Sequence, residues 1–549
     1  MNHNHKMLKP LTDSQKKNID NIMCRMTLYE KAAHVLCPEI WNVTAESAKK
    51  AGEIIEKYPV GAIFLAYGKK EDYRAVAEAI KNKIDTPPVI CADLVHGAGS
   101  RITDGVLFPW IMAAGAANSE ELAEKMGIAT AKEGRSCGVA WTFGPVVDLN
   151  INFHNPLMHS RAFGEDPDHV LRMSKACIRG IQSEGYMAAT AKHFPGDGID
   201  GRDSHICTSV NSLSRKNWEK SYGKVWRGVI EDGVMSIMSG HISLPFIDPE
   251  IDYSGALPAT LSKKIQIDFL RNELGFKGTI ISDAVCMVGF TSRLPRSKRA
   301  VENIRAGSDM VLFAKPEEDI PFIIDAIQNK TLSEERLTDA VKHVLELKAR
   351  VGVLENSSNP KVTDEDIHTY NLWADEIGAK SISIVRNEDN LIPVPIKKGA
   401  KVLTVTVQSD RELRGVIQEL TVIDEELRKN GFEVDHLKHP EGPELVKVAS
   451  KYDAVFMNTN CPPRYGTTFF DPYSIAPCWD SFWPGHPCVI WTAFCNPYKI
   501  YEMPYVSNMI NTYSNTPSSQ RAVVKVWLGQ AKAIGKSPIS LEGFFKCEV

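Results

Sequence analysis

Several things are missing from this 549-residue chain, and each absence removes a class of function. The opening residues, Met-Asn-His-Asn-His-Lys-Met-Leu-Lys-Pro, contain no apolar core of signal-peptide length, and no run of about 18 apolar residues occurs anywhere. Neither an export leader nor a membrane-spanning helix is expected, so the expectation is a cytoplasmic protein without a membrane partner. Charge of one sign is missing too: Lys/Arg and Asp/Glu are interspersed and the net charge is only −4, which argues against nucleic acid as a main partner. No GxGxxG follows a strand-like run and there is no Walker loop, so nucleotide binding has no support. The twelve cysteines show neither CxxC pairs nor a Cys/His metal spacing. Several, such as Cys91, Cys286 and Cys495, lie in apolar strand-like runs, so reduced and mostly buried thiols are expected rather than disulfides or zinc.

What is present is an ordinary globular composition over a length that predicts two domains. Residues 12–36 read as helix, with N-cap candidates at Thr12-Asp13-Ser14 and a restart at Thr27-Leu28-Tyr29-Glu30, which has capping-box spacing. Apolar, β-rich runs then recur at Gly61–Ala66, Pro88–Leu94, Val139–Leu149, Met187–His193, Val234–Gly240, Thr279–Asp283 and Asp309–Phe313. Between most of them lie amphipathic segments: Glu120–Ser136, His169–Glu184, Ser214–Glu231 and Ser262–Leu274. Strand then helix, repeated, predicts a parallel sheet covered by helices, and the number of repeats suits a (β/α)8 TIM-like barrel over 1–355. Leu107–Gly115 reads as either strand or loop. A polar linker and helix at 356–380 lead to a second alternation over 381–549, a smaller α/β sandwich domain closed by a helix at Ser518–Ala533. Residues 461–487 form a Pro- and aromatic-rich insertion within it, for which loop packing or a dimer contact competes with a lid over the barrel.

Chemistry concentrates in residues 188–207, where an apolar run ends in Lys192-His193, a Pro-Gly-Asp-Gly turn breaks it, and a loop delivers Asp203-Ser204-His205. Asp93, His193, His241 and Asp283 each end an apolar run, and in a barrel those ends converge on one face. Asp283 reads either as a carboxylate at the barrel mouth, poised to attack an electrophilic carbon, or as the N-cap of the segment after it. Asp203 and His205, two apart, read either as a carboxylate orienting an imidazole for proton transfer or as an Asx turn beside a solvated histidine. Lys192 and His193 are adjacent, so only one lines the barrel interior unless the strand bends there. Arg101 and Arg161 lie in turn-rich loops.

These residues bring a family with them. The chain resembles glycoside hydrolase family 3, in its β-N-acetylglucosaminidase branch, over nearly its whole length. Met26-Thr-Leu-Tyr-Glu-Lys, Ser160-Arg-Ala-Phe-Gly-Glu-Asp-Pro, Lys192-His-Phe-Pro-Gly-x-Gly and Ile281-Ser-Asp-x-x-x-Met are similar to its motifs. In the second domain Asn496-Pro-Tyr, Thr516-Pro-Ser-Ser-Gln-Arg and Gly535-Lys-Ser-Pro-Ile-Ser are as well. The resemblance implies that Asp283 is the nucleophile and that His205, partnered by Asp203, is the general acid/base. It implies that Asp93, Arg101, Arg161, Lys192 and His193 hold the sugar, with Met287 also counted as substrate-binding. Two departures stand out: Asp197 replaces a histidine typical of the acetylglucosaminidases, and Asp93-Leu-Val-His-Gly-Ala-Gly stands where they usually show Asp-Gln-Glu-Gly-Gly. A Gly-Asp-Gly loop followed by Arg-Asp-x-His resembles a subgroup that includes enzymes using phosphate as acceptor.

The expectation is a retaining exo-β-glycosidase that removes terminal β-N-acetylglucosamine by double displacement, needing no metal and no organic cofactor. Its partner is a small-molecule sugar substrate. The alternatives are a phosphorylase with inorganic phosphate as acceptor, a β-glucosidase, and a non-catalytic sugar-binding protein on a decayed barrel. The complete nucleophile and dyad speak against the last of these. A homodimer is one arrangement the sequence leaves open.

Overall fold

The computed structural model describes residues 8–253, 255–355, 357–408, 418–463 and 485–549. Most of the 461–487 insertion therefore lies outside the described residues. The chain divides into two compact units: one of residues 1–107, 123–148 and 171–370, and one of residues 108–122, 149–170 and 371–549.

In the first unit, local capping chemistry sets the opening helices. Thr12 caps Asp13–Arg25 and Thr27 caps Leu28–His34; in each, the threonine side chain accepts a backbone N–H three residues on, and Gln15 or Glu30 reaches back to the cap. The helical reading of 12–36 runs too far. Leu36–Cys37 and Glu39–Asn42 are strands, because the apolar stretch around Val35 is too short for its periodicity to separate a helix end from a buried strand.

With that strand added, the ring closes. Glu39–Asn42 pairs in parallel with Ala62–Tyr67, then come Val89–Ala92 and Val139–Thr142. A parallel bridge from Trp141 to Ala188 leads to Thr190–Phe194, which pairs with Ser236–Ser239 and through it with Thr279–Ser282. The Ile281–Met310 bridge brings in Val311–Leu312, and Leu36–Cys37 pairs with it to complete the barrel. Side chains fill the interior: Phe64, Phe143, Met238, Ile281 and Met310 belong to one buried cluster, in which Phe64 and Phe143 stack at 5.8 Å. Each large apolar side chain buried there contributes roughly 1.5–3 kcal/mol. The barrel is thus a packed core whose working surface is the C-terminal rim of its strands. Leu107–Gly115 is not a strand; a helix, Ile111–Ala117, begins within it and belongs to the second unit.

One packing choice in this unit is costly. Lys348, on the helix Glu334–Arg350, is fully buried and donates through Nζ to His34 Nε2 at 3.1 Å. Among the described residues no carboxylate pairs with it. Burial pushes the Lys348 ammonium well below its ordinary range. Burial and then Lys348 push His34 well below the usual histidine value. For both groups the unfolded chain binds more protons than the native one between the depressed native value and the unfolded-state value, about 6.5 for His and about 10.4 for Lys, so across that window stability rises with pH. Lys348→Met is therefore expected to stabilise the protein by about 1–4 kcal/mol near pH 6. The gain should narrow toward pH 10, as read from denaturant midpoints at several pH values. A midpoint unchanged or lowered at pH 6 would contradict this.

The second unit is built on a six-stranded sheet in the order Ser383–Asn387, Asn508–Asn511, Val489–Cys495, Ala454–Cys461, Lys401–Gln408, Glu433–Lys438. Only the first pair is antiparallel. The helices Thr421–Lys429 and Pro517–Trp527 supply Ile423, Leu427, Val523 and Trp527 to its core, where Trp527 stacks on Phe456 at 4.3 Å. The described cysteines are all free thiols. Cys91 and Cys495 are buried as expected, whereas Cys286 is exposed, because its run ends at Asp283 and the chain there is already in a loop.

Candidate active site

The strand Val89–Ala92 delivers Asp93 to the barrel rim, where two cations meet it. Lys192 Nζ donates to Asp93 Oδ1 at 2.9 Å and Arg101 Nη2 donates to Asp93 Oδ2 at 3.2 Å. Arg101 is held in turn by Tyr67: its Nη1 donates to the phenol oxygen at 2.6 Å and its guanidinium lies 4.7 Å from the ring centre. Burial raises the Asp93 carboxyl, but Lys192 and then Arg101 outweigh it and hold the group well below the usual carboxylate range. The result is a fixed anion with two cations in a fixed fork, suited to hydrogen-bonding vicinal hydroxyls.

The strand does bend at Lys192-His193, the exception that the alternation of side chains allows. Against Ser236–Ser239 the register slips, Lys192 aligning with Met238 and Phe194 with Ser239, so His193 is an extra residue. Bulges of this kind re-aim a side chain. Lys192 goes to Asp93, and His193 Nδ1 pairs with Asp148 Oδ2 at 2.7 Å. Asp148 is completely buried and also accepts the backbone N–H of His193 at 3.1 Å and of Asp197 at 2.8 Å. The turn after it needs glycine: Gly196 and Gly198 have φ of 124° and 103°, and a Cβ at Gly196 would stand 2.2 Å from the Tyr222 ring. Asp197, the residue that departs from the acetylglucosaminidase pattern, is a turn residue. Its carboxylate accepts the Gly198 N–H at 2.6 Å and its carbonyl accepts the Tyr222 hydroxyl at 2.6 Å.

The loop beyond the turn carries Asp203 and His205, and the two readings of that pair coexist. The His205 backbone N–H donates to Asp203 Oδ1 at 2.8 Å, an Asx turn, and His205 Nδ1 pairs with the same oxygen at 2.8 Å. Asp203 is buried while the imidazole is 30% exposed, so the ring is oriented from behind and faces outward. The Val288 N–H donates to the His205 carbonyl at 2.9 Å, which ties this loop to the segment after Asp283.

Asp283 follows the strand Thr279–Ser282 and is not a helix cap. The next helix, Val288–Thr291, has Met287 at its N-cap, and the Asp283 carboxylate accepts the Ala284 N–H at 2.7 Å. Burial raises its carboxyl, but His193, His241 and His205 pull it down further, so it is ionised at neutral pH. His241 acts as a brace. Its Nδ1 bonds to Thr260 Oγ1 at 2.8 Å and its Nε2 to the Ala284 carbonyl at 3.0 Å, while burial lowers its basicity. The neutral ring therefore fixes the backbone just past Asp283.

The first unit thus brings together Asp93, Arg101, Lys192, His193, Asp203, His205 and Asp283 at one rim. Met287 is buried in the barrel's apolar cluster. Arg161 belongs to the second unit, where its Nη1 donates to the Leu157 carbonyl at 3.5 Å. The residue that sequence reasoning missed is Asp148. Its signal was an aspartate inside the run Val139–Leu149, the same strand-end pattern that marked Asp93 and Asp283. Asp148→Ala strands three buried donors and is expected to cost about 2–4 kcal/mol of stability and to lower kcat/KM by misplacing His193. An unchanged denaturant midpoint would show that the turn is held by other contacts.

Comparison with known proteins fits this geometry. Residues 27–347 match the model of the glycosyl hydrolase family 3 N terminal domain. A β-N-acetylglucosaminidase/β-glucosidase of Cellulomonas fimi is 30% identical over 87% of this chain and 88% of its own length. Among solved structures, a β-glucoside phosphorylase, BglX bound to 2FGlc, superposes with a TM-score of 0.88 at 29% identity, covering 98% of this chain and 99% of that one. A family 3 β-N-acetylglucosaminidase from Paenibacillus sp. str. FPU-7 superposes with a TM-score of 0.83 at 26% identity, covering 95% of this chain and 100% of that one.

Proposed function

Because the chain belongs to glycosyl hydrolase family 3, and is a glycosidase on that ground, we propose that it is a retaining exo-β-glycosidase removing terminal β-N-acetylglucosamine. One observation carries the reading: an oriented Asp203–His205 pair is tied to the loop of an ionised Asp283 at one strand rim. With Nδ1 engaged by Asp203, proton exchange with the substrate runs through His205 Nε2. In the first step the His205 imidazolium, oriented by Asp203, protonates the leaving oxygen while Asp283 attacks the anomeric carbon through an oxocarbenium-like transition state. In the second step neutral His205 takes a proton from water, which displaces Asp283 and gives the β-anomer again. Asp93, Arg101, Lys192 and His193 hold the sugar hydroxyls, so binding strength can be directed to the distorted ring. Met287 completes the proposed substrate contacts within the barrel unit. The substrate class follows the named relatives and the dyad, and the chemistry calls for no metal or organic cofactor.

A second reading has a specific observation behind it. The chain aligns end to end with a β-glucoside phosphorylase, and a neutral imidazole, unlike a carboxylate base, does not repel an incoming phosphate dianion. Product analysis on an aryl N-acetyl-β-glucosaminide, with and without phosphate, separates the two. Hydrolysis predicts free sugar at a phosphate-independent rate. A sugar 1-phosphate formed only with phosphate would replace the hydrolase reading by phosphorolysis.

A further inference from the structure

The barrel has a polar cavity at the end of its strands opposite the catalytic rim. A cavity of about 460 Å³ is lined by Arg74, Lys81, Pro88, Arg135, Ser136 and Ser358, among others. Pro88 precedes the strand whose far end carries Asp93, and the four-residue strand between them, five residue steps, spaces them by about 16 Å. The cavity therefore lies away from the proposed sugar-holding rim.

Its charge is unbalanced. Of the lining residues Arg74, Lys81 and Arg135 are cations and Glu78 alone is an acid, a formal excess of two positive charges (three minus one). Lys81 and Glu78 pair with each other at 3.8 Å. Arg135 is only 4% exposed; its Nε donates to Asn359 Oδ1 at 3.0 Å and its Nη1 to the Tyr186 carbonyl at 3.2 Å. Arg74 Nε donates to the Ser136 carbonyl at 3.2 Å. All of these acceptors are neutral, and among the described residues neither arginine has a carboxylate partner. Burial acts against the charged form of Arg135, the Tyr186 phenol offsets only part of this, and no carboxylate helps among the described residues. A buried guanidinium without a counter-charge is costly to keep, and an anion in the cavity would supply that charge through strong, charge-assisted hydrogen bonds.

We propose that this cavity binds an oxyanion, the phosphate group of a small phosphorylated metabolite, at a site separate from the glycosidase centre. Arg74 and Arg135 meet the phosphate oxygens, and the lining serines Ser357 and Ser358 complete the polar shell. The volume falls within the roughly 300–1,000 Å³ of ordinary ligand pockets, which leaves room for an organic body beyond the phosphate.

Titration calorimetry on the full chain tests this, with inorganic phosphate and a hexose 6-phosphate as probes. The expected result is saturable binding, tighter for the hexose phosphate, that weakens by about tenfold in Arg74→Gln and in Ser358→Asp. Turnover of an aryl glycoside should be unchanged in both variants, which shows that they fold. Equal affinity for the two probes would support the site with inorganic phosphate itself as the ligand. Failure of either probe to bind the wild type saturably would overturn the proposal. So would affinities unaltered in both variants, including binding that a sugar ligand at the active site displaces.

Discussion

Asp283→Ala is expected to lower kcat/KM on an aryl N-acetyl-β-glucosaminide by about 10⁴-fold or more, with the fold intact. The size follows from what the side chain does in the proposed mechanism: it forms the bond that replaces the glycosidic one, and no neighbour can stand in for it. Asp93 is held by Lys192 and Arg101, Asp148 by His193 and two peptide N–H groups, and Asp203 by His205. Each of these carboxylates is already engaged in positioning. Among the described residues the Asp283 carboxylate accepts only the Ala284 N–H, and its carboxyl is held below the usual range with no cation or second donor committing it to positioning. The loss should fall on kcat and kcat/KM alike, since the missing interaction belongs to the transition state. Steady-state kinetics with a thermal melt as control would check it, and activity within tenfold of wild type would remove Asp283 from the mechanism.

The second large effect is selective. His205→Ala is expected to slow glycosides with poor leaving groups by about 10²–10⁴-fold, and dinitrophenyl glycosides, which depart without a proton, far less. Asp203→Asn should shift rates in the same direction but less, because it weakens orientation of the ring without removing it. A series of aryl leaving groups measures the difference as a steeper dependence of rate on leaving-group pKa. A uniform loss across the series would mean that His205 positions the loop and does not transfer the proton.

The parts of this site legible in the sequence are those whose partners lie close in the chain. Asp203 and His205 fall within one turn, so spacing alone placed one against the other, and the same closeness explains why an Asx turn and a dyad could not be told apart and turned out to coexist. Strand-end aspartates such as Asp93 and Asp283 were legible because parallel strands bring their C-terminal ends to one rim. Asp148 carried the same mark but lay inside a longer apolar run, and its role depends on a one-residue register slip at His193 that no periodicity shows. The helical periodicity of 12–36 overlaps the first barrel strand at Leu36 for a related reason: Leu36–Cys37 is two residues long and is made a strand by pairing with Val311–Leu312, nearly three hundred residues away. Long-range pairing, not local propensity, decides such elements.

The claim on which all this rests is that Asp283 becomes covalently attached to the sugar. A 5-fluoro aryl N-acetyl-β-glucosaminide slows the second step more than the first, so the glycosyl-enzyme should accumulate and be seen after proteolysis by mass spectrometry. The account predicts one added sugar on the peptide containing Ile281-Ser282-Asp283, absent from the Asp283→Ala variant. A label on a different carboxylate, or release of the inverted anomer with no labelled peptide, would contradict it.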